Sequence, residues 1–238
     1  MVNVKFYGHS AIRLTGEKNI VLDPGIVKGE ILVPDKEETD IICVTHKHKD
    51  HFGNAAEMAK RHEAWIVGNK QTIAVAYRKR VPIKLLKYLQ NGKTLTSNGA
   101  VITGYRLRHG FPFMRFMVDV MGFVLSMSGV SFAHLGDTVW CENLRRIKTN
   151  ILFVPIGGIV TFNVKKAVEV VRMIKPDIVV PIHAETSIST TDFRLFERLI
   201  RKKTRGISVE TMEIGETIEV GASMKKSSVG YRIRSQQS

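Results

Sequence analysis

Cysteines, long apolar runs and acidic residues are scarce in this sequence of 238 residues, and each scarcity limits what the protein can be. The two cysteines, Cys43 and Cys141, are too few for a disulfide framework, and Cys43 falls in an apolar segment that suits a small core residue. No stretch approaches the roughly 18 uninterrupted apolar residues that a membrane span requires. The chain enters an alternating strand pattern at Val2, without a charged and then apolar leader. We therefore expect a cytoplasmic protein that has no membrane partner.

The shortage of acidic residues gives the chain a formal net charge of +14, from 36 lysines and arginines against 22 aspartates and glutamates. The bases gather in residues 78–87, 194–205 and the end of the chain. Such a surface attracts polyanions, so nucleic acid is a candidate partner. An ordinary solvated surface explains the same bases, and we favour it because the chain lacks the basic motif interleaved with aromatics that single-strand binders use.

The most informative stretch that is present covers residues 45–51, which read Thr-His-Lys-His-Lys-Asp-His. A β-branched run at 40–45 predicts a buried strand that delivers this cluster into a loop. The donors His46, His48, Asp50 and His51 would repel one another or lack partners unless a cation held them. Imidazole and carboxylate together suit borderline divalent metals such as zinc. A polar loop that is rich in histidine by chance is the weaker interpretation.

Three further residues of the types that bind metals follow predicted strands. His109 comes after a strand at 100–108, Asp137 after one at 130–134, and His183 after one at 177–182. Each alone also fits a turn residue or a hydrogen-bonded structural residue. Together with the cluster, they predict that loops at one edge of the fold build a metal site.

The remaining pattern predicts a mixed α/β chain in two comparable halves, and not one doubly wound sheet. Strands at 2–7, 11–15 and 19–23 predict a meander, and helices are expected at 53–62, 70–80, 164–174 and 193–200. Strands at 207–213 and 217–220 close a single domain over residues 1–220. Residues 221–238 are rich in serine, lysine and arginine and predict a basic tail.

The order of the candidate ligands resembles the metallo-β-lactamase superfamily, and most closely its small cytosolic metal-dependent hydrolases, which include lactonase-like members. The resemblance covers about residues 2–220. The motifs that carry it are His46-x-His48-x-Asp50-His51, the three later ligands, Gly8-His9-Ser10, Leu22-Asp23-Pro24 and His134-Leu135-Gly136-Asp137-Thr138. It implies an α/β (α+β) fold, namely a four-layer αββα sandwich with the metals at one edge of its two sheets.

The resemblance also implies a ligand set and a mechanism. His46, His48 and His109 would hold one metal, Asp50, His51 and His183 the second, and Asp137 would bridge them. Two cations roughly 3.5–4 Å apart lower the pKa of a shared water, and the resulting hydroxide attacks an ester, a lactone or a related small cytosolic substrate. Asp50 would be the catalytic residue, orienting the hydroxide and passing a proton to the leaving group. Zinc is expected, because His48 stands where redox diiron members have glutamate, while manganese, iron or nickel accept similar donors.

Several alternatives stay open at this point. The enzyme could be a phosphodiesterase or ribonuclease, or the chain could be a nucleic-acid-binding protein on a retained hydrolase scaffold. The substrate could be anionic, a homo-oligomer could form, and the aromatic segment 110–117 fits a pocket wall or a dimer contact equally well.

Three neighbouring residues have more than one interpretation. Asp23 suits both a partner of a ligand imidazole and a turn residue before Pro24. We expect His9 to hydrogen-bond within the N-terminal meander and not to face the site. His134 is expected to pack within its strand.

Overall fold

The computed structural model describes residues 1–110, 118–184 and 191–221. The strands of the first half are β1 (Val2–Gly8), β2 (Ala11–Thr15), β3 (Asn19–Leu22), β4 (Ile26–Val27), β5 (Glu30–Ile31), β6 (Ile41–Val44), β7 (Trp65–Gly68) and β8 (Leu86–Tyr88). Those that follow are β9 (Thr94–Ser97), β10 (Ala100–His109), β11 (Val118–Met127), β12 (Val130–His134), β13 (Ile151–Pro155), β14 (Ile178–Ile182), β15 (Ser208–Val209) and β16 (Thr217–Val220). The helices are α1 (Lys49–Phe52), α2 (Ala55–His62), α3 (Lys70–Arg78), α4 (Val164–Ile174) and α5 (Phe193–Lys203), and short 3-10 turns cover Ile83–Leu85 and Glu142–Arg146.

Most of the strands form two seven-stranded sheets, one from each half of the chain. The first has the order β16-β1-β2-β3-β6-β7-β8 and the second the order β15-β14-β13-β12-β11-β10-β9. In each sheet an antiparallel meander leads into a parallel run, from β3 through β8 in the first and from β12 through β15 in the second. The expected division into two comparable halves is confirmed, except that β16 returns from the end of the chain to pair with β1.

The sheets lie face to face with helices outside them, because side chains alternate along each strand. In β6, Ile41 and Cys43 point into the core between the sheets, whereas Ile42 and Val44 pack with α2 and α3. On the outer face of the second sheet, α4 and α5 cover residues such as Leu152. This layering confirms the predicted αββα sandwich. Both cysteines are free thiols, as expected.

The predicted elements differ from the structure at three places. Asp50 and His51 do not lie in an irregular loop but in α1, where Phe52 N donates to His48 O over 2.8 Å. Of the strand predicted at 207–213, only β15 forms. Its pairing with β14 could continue only if Pro181 of β14 donated the next backbone hydrogen bond, and proline has no N–H. The β4–β5 hairpin was not predicted, since strands of two residues leave too little pattern to detect.

Some predictions concern residues outside the described ranges. The tail expected at 221–238 lies there apart from Gly221, as does the aromatic segment 110–117 apart from Gly110. Within the described ranges, none of the helices combines the length and the apolar character needed to cross a membrane.

Candidate metal centre

All seven predicted ligands converge at one edge of the sandwich, together with two residues whose roles the sequence left open. They follow the ends of strands in both sheets, where parallel strands of an α/β fold commonly direct functional loops. From the first sheet come His9 after β1, Asp23 after β3, and His46, His48, Asp50 and His51 after β6; from the second come His109 at the end of β10, Asp137 after β12 and His183 after β14.

The first group of donors consists of His46, His48 and His109, whose ligand atoms lie within 4.8 Å of one another. His46 Nε2 is 2.9 Å from His48 Nδ1. The ring of His109 is oriented by Val160, whose carbonyl oxygen lies 3.1 Å from His109 Nδ1. When Nδ1 carries the proton, Nε2 is left with its lone pair facing the site, which is the arrangement that a metal ligand needs.

The second group consists of His9, Asp50, His51 and His183, whose ligand atoms also lie within 4.8 Å of one another. Asp50 Oδ2 is 3.4 Å from His9 Nε2 and 3.9 Å from His51 Nε2. His51 is fully buried, while the Asp50 side chain is 39% exposed and can therefore meet a bound molecule.

Asp137 lies between the two groups. Its Oδ1 is 3.1 Å from His183 Nε2 and 3.3 Å from His51 Nε2, on the side of the second group. Its Oδ2 is 3.9 Å from His109 Nε2, on the side of the first. One carboxylate thus presents one oxygen to each group, as a bridging ligand would.

Asp23 holds the ligand imidazoles from behind, so its interpretation as their partner agrees with the structure. The carboxylate is fully buried, and its Oδ2 lies 2.7 Å from both His51 Nδ1 and Thr45 Oγ1. Thr45 Oγ1 donates to Asp23 and is in turn 3.1 Å from His46 Nδ1. Asp23 thereby favours the proton on Nδ1 of His51 directly and on Nδ1 of His46 through Thr45, which leaves the lone pairs of both Nε2 atoms free for a cation.

Burial sets the protonation of the first group. It lowers the pKa of His46 well below the ordinary value, and the nearby His51 lowers it further. Burial also lowers the pKa of His48 and of His109, and it does the same for His9 of the second group. These imidazoles are therefore neutral near neutral pH, which is the form that binds a metal.

Neighbouring charges determine the pKa values of His51 in the second group and of the shared Asp137. Burial alone would lower the pKa of His51, but the carboxylates of Asp137 and Asp23 raise it well above the ordinary value. Burial alone would raise the pKa of Asp137, but His51 and His183 hold it well below the usual range. The carboxylates thus favour positive charge beside His51, and a bound cation would supply it in place of the imidazole proton.

Buried polar atoms without partners are a further sign that the donor set fits a metal. His9 Nε2, His51 Nε2 and Asp137 Oδ1 are buried, and their contacts of 3.1–3.4 Å with neighbouring donors lack hydrogen-bond geometry, so none of the three has a hydrogen-bond partner among the described residues. A buried polar atom without a partner costs about 1–3 kcal/mol, so three of them in one place would be a considerable cost if nothing bound there. A cation between them would satisfy all three.

The backbone around the centre is held in unusual conformations. His9, Asp23 and His183 have φ values of 53°, 47° and 51°, in the left-handed region that residues other than glycine rarely adopt. Such residues cost on the order of 1–3 kcal/mol each and are found mainly at functional sites.

A cavity of about 770 Å³ opens over the donors. His9, His48, Asp50, His109, Asp137 and His183 line its floor. Apart from Lys28 and Glu30, the other described residues that line it are apolar side chains or glycine, including Ile26, Val27 and Leu32 from the β4–β5 hairpin and its flank, and Ile159, Val160 and Ile214. Lys28 is the only lysine or arginine among the described residues that line it.

The expectation for His9 was wrong, and that for His134 was right. His9 faces the site, with its ring centroid 3.9 Å from that of His183. Its position directly after a strand, like that of the other donors, was the signal that could have identified it. His134 is buried, and its Nε2 lies 2.8 Å from Ser10 O.

Comparison with known proteins finds a family model and relatives that are similar to this sequence. The family model described as "Beta-lactamase superfamily domain" matches residues 3–183. A metal-dependent hydrolase of Methanoculleus marisnigri is 30% identical over 92% of this chain and 97% of its own length. One from Thermococcus onnurineus is 30% identical over 91% of this chain and 100% of its own.

Solved structures share the fold. A metallo hydrolase from Ignicoccus hospitalis superposes with a TM-score of 0.78 at 23% identity, covering 91% of this chain and 97% of that one. An isothiocyanate hydrolase from Delia radicum gut bacteria gives a TM-score of 0.74 at 15% identity, covering 92% and 99%. At these identities the likeness concerns the fold alone.

Proposed function

Since the chain belongs to the beta-lactamase superfamily and is a metal-dependent hydrolase, we propose that it uses two divalent metal ions to hydrolyse an ester, a lactone or a related small carbonyl compound with an apolar part. The main evidence for this class of substrate is the apolar cavity over the donors. A volume of about 770 Å³ suits a small molecule, since ligand pockets commonly measure ~300–1,000 Å³.

The arrangement of two donor groups that share one carboxylate supports the proposal of two metal ions. His46, His48 and His109 would hold the first ion. Asp50, His51 and His183 would hold the second, with Asp137 as a ligand of both. When bound, such a pair supplies a water of lowered pKa and neutralises the charge that develops on the substrate oxygen. Zinc is the favoured ion, because imidazole predominates among the ligands.

Asp50 is the residue that we propose to move the proton. It lines the cavity and its side chain is partly exposed, so a reacting group can reach the carboxylate. Although burial acts to raise it, the nearby His9 and His51 hold the pKa of Asp50 below the usual range. The carboxylate is therefore ionised near neutral pH, and the oxygen that does not face the donors, Oδ1, would accept a proton and hand it to the leaving group.

The second candidate reaction is cleavage of a phosphodiester, which the net charge of +14 favours. The cavity favours the first candidate, because the described residues that line it are mostly apolar and include Lys28 as their one lysine or arginine, whereas a polyanion would need several cations.

The test is a substrate panel measured with the purified, metal-loaded chain. It contains aryl esters of increasing acyl length, lactones, bis-aryl phosphodiesters and RNA. We expect turnover of esters or lactones, lost on chelation and in Asp50→Ala but retained in Asp35→Ala, a surface carboxylate paired with Arg61. Turnover of phosphodiesters or RNA alone would reject the carbonyl substrate, and activity that survives Asp50→Ala would reject the role of Asp50.

A further inference from the structure

His9 is a donor outside the set of seven ligands, yet it stands among them. Its Nε2 is 3.4 Å from Asp50 Oδ2, and its ring lies 3.9 Å from that of His183, centroid to centroid. Its ligand atom lies within 4.8 Å of those of Asp50, His51 and His183. The side chain is only 9% exposed and lies on the floor of the cavity.

The fold fixes His9 from both sides. His183 N donates to His9 O over 2.8 Å, which ties the loop after β1 to the loop after β14 in the other sheet. The next residue, Ser10, accepts from His134 Nε2 through its carbonyl oxygen. The φ of 53° is unfavourable for a histidine. Despite this anchoring, the 3.4 Å contact between His9 Nε2 and Asp50 Oδ2 lacks hydrogen-bond geometry, and His9 Nε2 has no hydrogen-bond partner in the described part of the chain.

We propose that His9 is a further ligand of the second metal ion, so that this position has five protein side chains and the first has four. The five are His9, Asp50, His51, His183 and the shared Asp137. The first position has His46, His48, His109 and Asp137. The inference rests on the proposed pair of metals.

Unequal ligand sets make the two positions chemically different. Zinc in protein sites is most often bound by four ligands. With the shared water counted, the first position would have five ligands, which zinc also accepts, whereas the second would have six and would favour ions that accept six, such as manganese, iron or nickel. The second position should therefore take such ions more readily than the first.

The test uses cobalt(II) as the only added metal, because its visible absorption weakens as its ligands increase from four to six. His9→Gly removes the imidazole and suits the backbone, since glycine adopts φ values near 53° without strain. The loaded protein is titrated with a chelator, and retained cobalt and absorption are measured with and without free imidazole. Free imidazole can reach the vacated place because His9 lines the cavity.

We expect wild type to hold two cobalt ions and His9→Gly to release the second at least about tenfold more readily, since loss of even an indirect partner of a ligand costs ~10–100-fold in metal affinity. The absorption per cobalt should rise in the variant, and free imidazole should reverse both changes. His62→Gly is the matched control, because His62 lies on α2 with its Nε2 against Asp35 O and outside the donor groups. It should behave as wild type.

The remaining outcomes separate this inference from the proposed function. If His9→Gly keeps the affinity and spectrum of wild type, His9 is not a ligand although the pair of metals stands. If the second ion is lost and imidazole does not restore it, His9 acts through the backbone and the inference is equally overturned. If wild type itself holds a single ion, the pair of metals fails and this inference fails with it.

Discussion

Asp23 is the residue on which the orientation of two of the proposed ligand imidazoles depends. Its Oδ2 accepts from His51 Nδ1 and from Thr45 Oγ1, and Thr45 is the neighbour of His46 Nδ1. In Asp23→Asn an amide N–H would replace one accepting oxygen. His51 would then have to accept at Nδ1 and carry its proton on Nε2, where a metal ligand needs a lone pair.

We therefore expect Asp23→Asn to lower metal affinity by ~10–100-fold, the range found for partners of metal ligands. Competition with a chelator measures the effect. The matched control is Asp40→Asn, because Asp40 accepts from Lys18 and from the Asn19 backbone away from the donor groups. Equal affinities in the two variants would contradict the role of Asp23.

His134 gives a pH dependence that belongs to a single buried residue. Burial lowers its pKa below the ordinary value of 6.5, although Asp23 acts in the opposite direction. Below about pH 6.5 the unfolded chain therefore binds a proton that the folded chain refuses. The free energy of unfolding should be unaffected by His134 above this pH and should fall as the pH decreases below it.

The expected outcome is that His134→Gln flattens this fall by up to ~1.4 kcal/mol per pH unit. Glutamine does not titrate, and its amide can still donate to Ser10 O, the partner of His134. Urea unfolding of both metal-free chains between about pH 5 and about pH 7.5 gives the two slopes. Parallel slopes would assign the pH dependence to other groups.

At the scale of single residues, the seven donors were predictable because imidazoles and carboxylates rarely gather in one cluster and at several strand ends unless they bind a metal. The same rule applied to His9 would have succeeded, but a lone histidine in a meander commonly has a structural role. Asp23 could be suspected but not decided, since its role depends on Thr45 and His51 meeting it across 22 and 28 residues of sequence.

The element on which the second donor group depends is α1, which carries Asp50 and His51. Its backbone is pressed against the loop after β3: a Cβ on Gly25 would lie 1.8 Å from Asp50 O, and one on Gly53 would lie 1.9 Å from Pro24 O. Two glycines therefore allow the two loops to touch. We expect this contact to set the distance between Asp50 and the rest of the site.

Gly25→Ala should push α1 away and lower both the free energy of unfolding, by about 3 kcal/mol or more, and the affinity for the second metal. Gly206→Ala is the control, because no atom lies within 4 Å of its added Cβ and only its φ of 72° is unfavourable. It should cost about 1–2 kcal/mol and leave metal binding unchanged. Unfolding curves and chelator titrations of both variants decide, and normal metal affinity in Gly25→Ala would contradict the proposed contact.

At the scale of elements, long periodic segments were predictable and short ones were not. The helix expected at 164–174 is α4, because apolar side chains recur at helical spacing and Asn163 caps its first turn. The strand at 207–213 was overestimated because its length depends on Pro181 in a neighbouring strand. The β4–β5 hairpin, which forms one wall of the cavity, depends on tertiary contacts and not on a pattern of its own.

For the whole molecule, the sandwich followed from the resemblance, whereas the pairing of β16 with β1 joins the two ends of the described chain and leaves no local signal. The architecture has a consequence for metal binding. His46, His48, Asp50 and His51 belong to the first sheet, and His109, Asp137 and His183 to the second. Each proposed ion therefore takes ligands from both sheets and would fasten them together at this edge.

Metal loading should accordingly stabilise the whole chain. Each ion that binds only the folded state adds about 2.7 kcal/mol to the free energy of unfolding when free metal is ~100-fold above its dissociation constant. In Asp137→Asn, which weakens the ligand shared by both positions, most of this increment should disappear. Asp177→Asn is the control, because Asp177 accepts from Asn150 at the start of β14, the opposite end from His183. Asp177→Asn should lower the free energy of unfolding of the metal-free chain and keep the increment that metal adds to it. An equal increment in the two variants would show that the sheets are not joined through Asp137.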